Sequence, residues 1–480
     1  MSALPLDIGT IHFIGVGGIG MSGIAEILQN LGYTVQGSDI ADSSNVKRLR
    51  NLGIQVEIGH RRSNIGTSAV VVISSAIKAD NPEVQEARSR LIPVVPRAEM
   101  LAEIMRLKWG IAVAGTHGKT TTTSIIAALL DAGEFDPTVI NGGIINAYGT
   151  NARLGSGKWV VAEADESDGT FTRLPATIAV VTNIDAEHLD HYGNFDALKA
   201  AFVTFVQNIP FYGFATMCID DTVLQSLIAE MSDRRIVTYG LCSQANVRAV
   251  NIASTPLGSE FTVTLSNRAS PSRVELGRFT MPMPGNHNIR NALAAIAIAQ
   301  EMGVPTNTLQ RALSEFRGVK RRFTKIGVVN DITIIDDYGH HPVEISAALE
   351  AARTNADGNV IAVIQPHRYT RVRDLFDAFC NCFHDADTVI VADIYAAGEI
   401  PLDGVDQNAL IRGIRERGHC HVITLRKPKD LPQIIADIGR PGDFIIFMGA
   451  GTITNWANSL PAGLRELGRN TVIVSSGGAN

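Results

Sequence analysis

Apolar, β-branched runs alternate with amphipathic segments along the whole chain. Three runs stand out because each leads into a glycine-bearing or polar turn: Thr10–Ile14, Ile111–Ala114 and Val360–Ile364. A late companion, Phe444–Met448, precedes Gly449. Such alternation of strand-like and helix-like segments is typical of βα units that build parallel sheets. The pattern therefore predicts an α/β fold.

The length divides this pattern into more than one domain. A chain of 480 residues exceeds what one ordinary core supports, so roughly two to three domains are expected. Arg106–Trp109 separates the first group of βα units from the second, and Phe316–Gly318 precedes a new strand pattern, Asp331–Ile335. We predict domains at residues 1–107, 108–315 and 316–480.

Composition narrows the classes of function. The chain is 45% hydrophobic and 19% charged, which is typical of a folded globular protein. Its 48 acidic and 42 basic side chains give a formal charge of −6, whereas nucleic-acid-binding domains usually carry an excess of basic residues. The five cysteines include no CxxC pair, residues 1–8 lack the features of a signal peptide, and no window suits a membrane span. We expect a cytoplasmic protein.

Three glycines follow the first strand pattern. Gly15, Gly17 and Gly20 fit G-x-G-x-x-G between a strand and a helix, and Asp39 ends the next strand pattern. Such a turn lets the backbone approach a pyrophosphate at a helix N-terminus, and an acid at the position of Asp39 can bind a ribose. The pattern predicts a nucleotide-diphosphate site but leaves open NAD, a UDP-sugar or a turn without a ligand. On this loop alone, a nicotinamide-dependent oxidoreductase is an alternative.

A second glycine-bearing loop follows the strand Ile111–Val113. Gly115–Thr121 reads G-T-H-G-K-T-T and leads into a helix-like run. Backbone N–H groups in such a loop surround phosphates, Lys119 reaches the β and γ oxygens, and the Thr120 hydroxyl can bind Mg²⁺. The strict pattern has a glycine where Val113 stands, but the strand–loop–helix order favours a phosphate loop. A purely structural loop, or a nucleotide-binding regulator without catalysis, is the alternative.

Acidic and histidine residues follow two further strand patterns. Glu163 ends the strand Trp159–Ala162 and opens a run of four acids, E-A-D-E-S-D. Beside a phosphate loop these carboxylates favour metal binding over a solvated turn. His188 and His191 are spaced to share a helical face, but no zinc-type context accompanies them. We therefore predict that His188 lies beside a magnesium or substrate site.

These motifs together resemble the Mur ligases. The family's G-T-x-G-K-[ST] loop, distal acid and T-N-[IL]-x-x-[DE]-H-x-D segment correspond in order to Gly115–Thr121, Glu163 and Thr182–Asp190. Gly285–Ala292 resembles the family's adenine-contacting segment. Three C-terminal segments resemble further signatures: Phe316–Phe323, Asp336–Pro342 and Gln365–Arg371.

The resemblance implies a fold, a reaction and its cofactors. It implies an N-terminal Rossmann-like domain, a central P-loop ATPase-like α/β domain, and a C-terminal Rossmann-like domain that closes over the amino-acid site. The glycine loop and the acidic run resemble the alanine-adding branch, which uses ATP and Mg²⁺ to join L-alanine to UDP-N-acetylmuramate through an acyl phosphate, in peptidoglycan precursor synthesis. Phe202 stands where several later ligases carry a carbamylated lysine. A murein-tripeptide recycling ligase is the alternative within the family, and the enzyme is expected to be a monomer or homodimer.

The resemblance also implies roles for individual residues. The nucleotide is expected at Gly115, Thr116, His117, Gly118, Lys119, Thr120, Thr121, His287, Asn288 and Asn291. One Mg²⁺ is expected at Thr120 and Glu163, and a second at His188. The UDP-sugar is expected at Gly15, Gly17, Gly20, Ser22, Asp39, Arg97, Ser167 and Tyr338. Arg317 or Arg321 is expected to brace the γ-phosphoryl group, and His340, His341, Arg368 and Arg371 to orient alanine and the carboxylate.

Overall fold

Three β-sheets flanked by helices make up the described residues, 8–74, 76–231, 233–255, 258–267 and 270–476, in a computed structural model. The predicted α/β class is confirmed. Residues 1–7, at the start examined for a signal peptide, lie outside the described part, as do residues 477–480. Among the described residues, no helix combines the length and the apolarity that crossing a bilayer takes.

The first sheet has five parallel strands in the order β3-β2-β1-β4-β5. The order reverses beside β1, which places the first glycine loop at a topological switch point, where α/β sheets bind ligands. The strands are β1 (Ile11–Ile14), β2 (Val35–Asp39), β3 (Gln55–Ile58), β4 (Val70–Ile73) and β5 (Val94–Pro96), and the helices are α1 (Ile19–Asn30), α2 (Ser44–Asn51), α3 (Pro82–Ser89) and α4 (Arg97–Arg106).

The second sheet has ten strands in the order β15-β14-β13-β12-β11-β10-β6-β9-β7-β8. Its strands are β6 (Trp109–Ala114), β7 (Thr138–Ile145), β8 (Thr150–Arg153), β9 (Trp159–Glu163), β10 (Ala176–Val181), β11 (Phe214–Cys218), β12 (Ile236–Gly240), β13 (Val247–Thr255), β14 (Gly258–Asn267) and β15 (Ser270–Met281). Its helices are α5 (Lys119–Ala132), α6 (Leu189–Tyr192), α7 (Phe195–Gln207), α8 (Thr222–Leu227), α9 (Asn286–Glu301) and α10 (Thr306–Ser314).

One part of this sheet departs from the predicted alternation. The strands β13, β14 and β15 follow one another directly, and they extend one edge of the sheet. In β14, the fully buried Phe261 and Val263 alternate with half-buried residues. An alternating pattern suits a sheet with one solvated face, whereas strands covered by helices on both faces are apolar throughout.

The third sheet has six strands in the order β16-β17-β21-β18-β19-β20. The first pair is antiparallel, and the remaining neighbours are parallel. The strands are β16 (Thr324–Val329), β17 (Ile332–Asp337), β18 (Val360–Ile364), β19 (Thr388–Val391), β20 (Val422–Thr424) and β21 (Phe444–Met448), and the helices are α11 (Pro342–Asn355), α12 (Tyr369–Asp374), α13 (Phe376–Asn381), α14 (Gln407–Glu416), α15 (Leu431–Ile438) and α16 (Ile453–Ser476).

The chain divides into two compact units. One contains the residues to Ala253, Glu260–Pro282 and Asn286–Val319, and therefore the first sheet and most of the second. The other contains Ser254–Ser259, Met283–Gly285 and the chain from Lys320 onward, and therefore the third sheet.

Candidate functional site

The phosphate loop joins the central strand β6 to the helix α5. The strand β6 lies between β9 and β10 and pairs with both in parallel, so the ends of all three strands meet at one edge of the sheet. Gly118 has a φ of +82°, which favours glycine, and α5 begins at the next residue, Lys119. The first N–H groups of an α-helix have no partner within the helix, so the start of α5 is suited to binding an anion.

The end of β10 holds the backbone of this loop in place. The Asn183 side chain accepts a hydrogen bond from His117 N at 2.8 Å and donates one to His117 O at 3.0 Å. The Thr182 hydroxyl donates to the same carbonyl at 2.6 Å. The Asn183 carbonyl accepts from Thr116 N at 3.0 Å. Both polar side chains therefore stabilise one loop conformation.

Lys119 is paired with a buried carboxylate. Its Nζ donates to Gly115 O at 2.6 Å and to Thr116 O at 3.1 Å, and it lies 2.9 Å from either Glu166 oxygen. The Glu166 side chain is 2% exposed, and its burial raises the pKa of the carboxyl to about 7 although Lys119 opposes this shift. Burial alone would lower the pKa of Lys119, but Glu166 and Glu163 outweigh it and raise it. The ammonium is thus kept charged where phosphate oxygens would bind.

Glu166 is the functional candidate that the sequence did not single out. It is the third acid of the four-acid run, and nothing in the spacing separates it from its neighbours. In the structure it alone of these four is almost fully buried and faces the phosphate loop. Tyr192 OH donates to the Glu166 carbonyl at 2.5 Å and so fixes the backbone at this position.

Glu163 and Thr120 lie against two consecutive glycines of β7. Gly142 N donates to Glu163 Oε2 at 2.8 Å, and a Cβ on Gly142 would lie 2.5 Å from that oxygen. A Cβ on Gly143 would lie 2.8 Å from Thr120 Cγ2. Glycine at both positions therefore leaves room for the Glu163 carboxylate and the Thr120 side chain. Oxygen donors of this kind fit Mg²⁺.

His188 lies near the buried carboxylate of Glu166. The spacing would allow a helical face shared with His191, but His188 precedes the helix α6 and has a left-handed backbone, with φ +57°. Its Nε2 lies 3.9 Å from Glu166 Oε1 and 3.7 Å from Glu187 Oε2. His188 is therefore near the carboxylate that pairs with Lys119, while His191 Nε2 lies 2.9 Å from the position of a Cβ on Gly169.

The predicted adenine-contacting segment begins the helix α9. Asn288 and Asn291 are buried and His287 is half-buried. The Asn291 Oδ1 accepts from the Thr122 hydroxyl at 3.1 Å and lies only 2.6 Å from the position of a Cβ on Gly118. The structure thus places Asn291 against Gly118 of the phosphate loop and Thr122 of α5.

We expect Gly118→Ala to weaken ATP binding roughly tenfold or more, because the new Cβ meets Asn291 Oδ1 and the backbone has a left-handed φ. Gly303→Ala is the matched control. Gly303 has the same φ of +82°, but a Cβ there meets nothing within 4 Å. Isothermal titration with ATP and Mg²⁺ would compare the variants. Similar ATP affinities in both would show that the Asn291 contact does not shape the loop.

The first glycine loop places its predicted residues close together. Gly17 N donates to Asp39 Oδ2 at 2.8 Å, so this acid braces the loop. A Cβ on Gly20 would lie 2.6 Å from Arg97 Nη1, and Arg97 Nη2 donates to Asp165 Oδ2 at 2.7 Å. Arg97 therefore links the loop to the acidic run. Gly15 has a φ of +76°, and the buried Ser22 hydroxyl donates to Ile19 O at 3.0 Å.

Asp165 and Ser167 complete this region. Burial would raise the pKa of Asp165, but Arg97 and Lys119 outweigh it and lower the pKa to about 2. Ser167 N donates to Asp165 Oδ1 at 3.1 Å. The acidic run therefore supplies an ionised group to Arg97 through Asp165 and a second carboxylate to Lys119 through Glu166.

In the unit that holds the third sheet, Tyr338 is covered by two arginines. The guanidinium carbon of Arg321 lies 4.6 Å from the Tyr338 ring centroid, and that of Arg322 lies 5.3 Å from it. Arg321 also donates to Gly449 O, and burial lowers the pKa of its guanidinium. Arg317 is an exposed residue of the other unit, and its carbonyl accepts from Asn146 Nδ2 at 2.9 Å.

The two neighbouring histidines of this unit have different surroundings. His340 Nδ1 lies 3.0 Å from Tyr338 O and 3.2 Å from Glu344 Oε2. His341 is the N-cap of α11: its Nδ1 accepts from Val343 N, and the Glu344 side chain accepts from the His341 backbone. Capping is therefore a structural role that the sequence did not predict for His341.

The remaining predicted residues lie near the end of β18. Arg368 has a left-handed φ of +69°, and its Nε lies 3.9 Å from Glu399 Oε1. Arg371 is a half-buried residue of α12. His367 stacks on Tyr395 with centroids 5.4 Å apart, and burial lowers the pKa of its imidazole to about 4.

The turn Gly449–Thr452, which follows β21, is held by protein contacts. Gln365 Nε2 donates to the Thr452 hydroxyl at 3.2 Å, and Gln365 Oε1 accepts from Ile453 N at 3.2 Å. A Cβ on Gly451 would lie 2.5 Å from Gln365 Oε1. The turn thus serves to connect β21 to α16.

Three family descriptions match successive parts of the chain. "Mur ligase family, catalytic domain" matches residues 10–109, "Mur ligase middle domain" matches residues 113–299, and "Mur ligase, glutamate ligase domain" matches residues 321–451. They confirm the predicted three-domain class, and the residue boundaries between the domains stay a prediction.

Individual proteins match the chain over nearly its whole length. A UDP-N-acetylmuramate–L-alanine ligase of Rhodospirillum centenum is 61% identical over 97% of either chain, and one of Rhodospirillum rubrum is 58% identical over the full length of both. Among solved structures, the UDP-N-acetylmuramate–alanine ligase of Thermotoga maritima has a TM-score of 0.80 and 28% identity, covering 95% of this chain and 99% of that one. A murein peptide ligase of Psychrobacter arcticus has a TM-score of 0.69 and 25% identity, covering 95% and 98%.

Proposed function

This chain belongs to the Mur ligase family, and from that premise we propose that it joins L-alanine to the lactyl carboxylate of UDP-N-acetylmuramate, with conversion of ATP to ADP and phosphate. The observation that carries the proposal is the identity of 58–61% to ligases of that name over 97–100% of the chain. The product is a precursor of cell-wall peptidoglycan. We assign the reaction to the cytoplasm, where ATP is available.

The chemistry requires activation of a carboxylate, which is a poor electrophile. A carboxylate oxygen attacks the γ-phosphorus of ATP and ADP leaves, which gives an acyl phosphate. The alanine amine then attacks the acyl carbon, loses a proton and expels inorganic phosphate from a tetrahedral intermediate. Positioning and stabilisation of negative charge therefore dominate catalysis.

The phosphate loop supplies the cationic groups for the first step. Lys119 lies between two loop carbonyls and Glu166, so its ammonium is oriented before the nucleotide binds. Thr120 and Glu163 would hold Mg²⁺, with His188 beside a second ion. When bound, Mg²⁺ neutralises charge on the β and γ oxygens. Asn291 lies against Gly118 of this loop.

The remaining assignments extend the same proposal. The UDP end of the sugar substrate is assigned to the first glycine loop with Ser22, Asp39 and Arg97, and the sugar to Ser167 and Tyr338. The γ-phosphoryl brace is assigned to Arg317 or Arg321. His340, Arg368 and Arg371 are assigned to alanine and the carboxylate, and His341 acts at least as a helix cap. The enzyme is proposed to act as a monomer or homodimer.

The alternatives have weaker support. The recycling ligase matches the fold, but its solved relative has the lower TM-score, 0.69 against 0.80, and the relatives at about 60% identity are L-alanine ligases. Phe202, at the expected position of a carbamylated lysine, is fully buried and its ring lies 5.1 Å from that of Phe171. If the protein were an oxidoreductase or a nucleotide-binding regulator, the acidic run and the Lys119–Glu166 pair would have no assigned role.

We expect phosphate release from ATP and Mg²⁺ only when both UDP-N-acetylmuramate and L-alanine are present. A coupled phosphate assay, with each substrate omitted in turn, would measure it. Water is a poor competitor for an acyl phosphate in a closed site, so omission of alanine should leave only slow ATPase activity. Turnover with the murein tripeptide but not with L-alanine would instead identify a recycling ligase, and no turnover with either would overturn the proposal.

A further inference from the structure

Arg48 joins the first domain to the hairpin β7–β8 of the second. It lies on α2, and its guanidinium donates to Glu26 and Ser22 of α1 and to Thr150 and Asn151 of β8. The Asn151 Oδ1 accepts from Arg48 Nη2 at 2.9 Å. One side chain thus ties two helices of the first sheet to a strand of the second. Residues about a hundred positions apart in sequence are brought together here.

Asn151 carries the connection to the first glycine loop. It is fully buried, and its Nδ2 donates at 2.5 Å to the carbonyl of Ile19, the first residue of α1 and part of that loop. A Cβ on Gly23 would lie 2.7 Å from Asn151 Nδ2 and 3.1 Å from Ala152 Cβ. The helix α1 therefore approaches β8 as closely as glycine permits.

The same hairpin is also hydrogen-bonded to α5, the helix that follows the phosphate loop. Asn141 of β7 donates to the Ser124 hydroxyl at 2.8 Å, and that hydroxyl donates to Thr120 O at 2.8 Å. Asn151 Nδ2 also lies 3.5 Å from Asn141 O. Gly142, the next residue of β7, contacts Glu163. The hairpin thus contacts the first glycine loop through Asn151 and is linked to Thr120, at the end of the phosphate loop, through Asn141 and the Ser124 hydroxyl.

The carboxylate of this network is largely removed from water. The Glu26 side chain is 11% exposed, and burial raises the pKa of its carboxyl although Arg48 and Thr150 oppose the shift. Buried polar networks of this kind contribute more to a unique geometry than to net stability, because desolvation offsets much of the attraction. Such a geometry can keep two substrate sites at a fixed distance from each other.

We propose that Asn151, held by Arg48, is a positioning residue that sets the first glycine loop relative to the phosphate loop. This inference rests on the proposed function: the UDP-sugar bound at the first loop must present its carboxylate in line with the γ-phosphorus of ATP. Misplacement by about 1 Å costs roughly 10²-fold in rate even when both substrates bind. Asn151 contacts neither proposed reacting atom, so it acts through the loop that it holds.

The test compares Asn151→Ala and Arg48→Met with a matched control, Arg153→Met. Arg153 lies on β8 two residues beyond Asn151, and its guanidinium binds Asp131, Asp136 and Tyr148 but not α1. We expect kcat of the full-length ligase to fall roughly 10²-fold in the first two variants and less than about threefold in the control. Dissociation constants for ATP and for UDP-N-acetylmuramate, each titrated alone, are expected to stay within about threefold of the unmodified protein.

The outcomes distinguish a positioning role of Asn151 from a structural role and from a substrate-binding role. Loss of rate in all three variants, in step with a lowered melting temperature, would mean a structural role only and overturn the inference. A raised KM for one substrate with an unchanged kcat would make Asn151 a binding residue and also overturn it. Arg48→Lys, which keeps a charge beside Glu26, provides a milder variant if Asn151→Ala fails to fold, and it is expected to lose kcat with both affinities intact. Inactivity of the unmodified protein in the same assay would contradict the proposed function instead.

Discussion

Lys119→Ala is expected to lower kcat by at least about 10³-fold while leaving UDP-N-acetylmuramate binding unchanged. The ammonium is the half-buried cation of the phosphate loop, and it is held there by two carbonyls and Glu166. The sugar nucleotide is assigned to a different loop, so its affinity does not depend on this charge. Phosphate release and isothermal titration with UDP-N-acetylmuramate would measure the two effects. Equal loss of both would refute this division of labour.

The variant must be distinguished from one that misfolds, because Glu166 loses its partner. Burial raises the pKa of Glu166 to about 7 even beside Lys119, so without the ammonium this carboxyl is expected to take up a proton rather than remain as a buried ion. The double variant Lys119→Ala, Glu166→Gln removes the ionisable group altogether. We expect it to match the unmodified protein more closely in melting temperature and to stay inactive.

Glu163→Gln is expected to lower kcat by about 10²- to 10³-fold and to raise the Mg²⁺ concentration needed for half-maximal rate. The amide keeps an oxygen that can accept from Gly142 N, so the local backbone is preserved while the negative charge is lost. Initial rates over a Mg²⁺ series at saturating ATP would measure the change.

Asp131→Asn is the matched control for this charge removal. Asp131 lies near the far end of α5 and pairs with Arg153 at 2.9 Å. Its loss should alter neither kcat nor the Mg²⁺ requirement by more than about twofold, because exposed ion pairs contribute little. A Mg²⁺ series that is the same in Glu163→Gln as in the unmodified enzyme would remove Glu163 from the metal site.

Most of the fold could be predicted from local sequence patterns. The phosphate loop was predictable because strand, glycine-bearing turn and helix are contiguous, and the structure has β6, the loop and α5 in that order. The first glycine loop was predictable for the same reason. The run β13–β15 was not anticipated, because half-buried strands interrupt the βα alternation without a glycine motif to mark them.

The parts of the site that were missed depend on burial and on distant contacts. Four acids within six residues cannot show which one is buried, so Glu166 became apparent only from its distance to Lys119. The position of His188 depends on a left-handed backbone just before a four-residue helix, which the spacing of two histidines does not reveal. Arg48 and Asn151 meet across 103 positions of sequence.

The hydrogen bonds from Thr182 and Asn183 to the phosphate loop bear on the entropy of nucleotide binding. Fixing one residue of a free backbone costs about 1–2 kcal/mol, so a loop that ordered only around its ligand would forfeit several kcal/mol of affinity. Here the end of β10 already supplies that order through His117 and Thr116. The loop therefore loses its conformational entropy when the central sheet folds, and ATP binds to a loop that is already ordered.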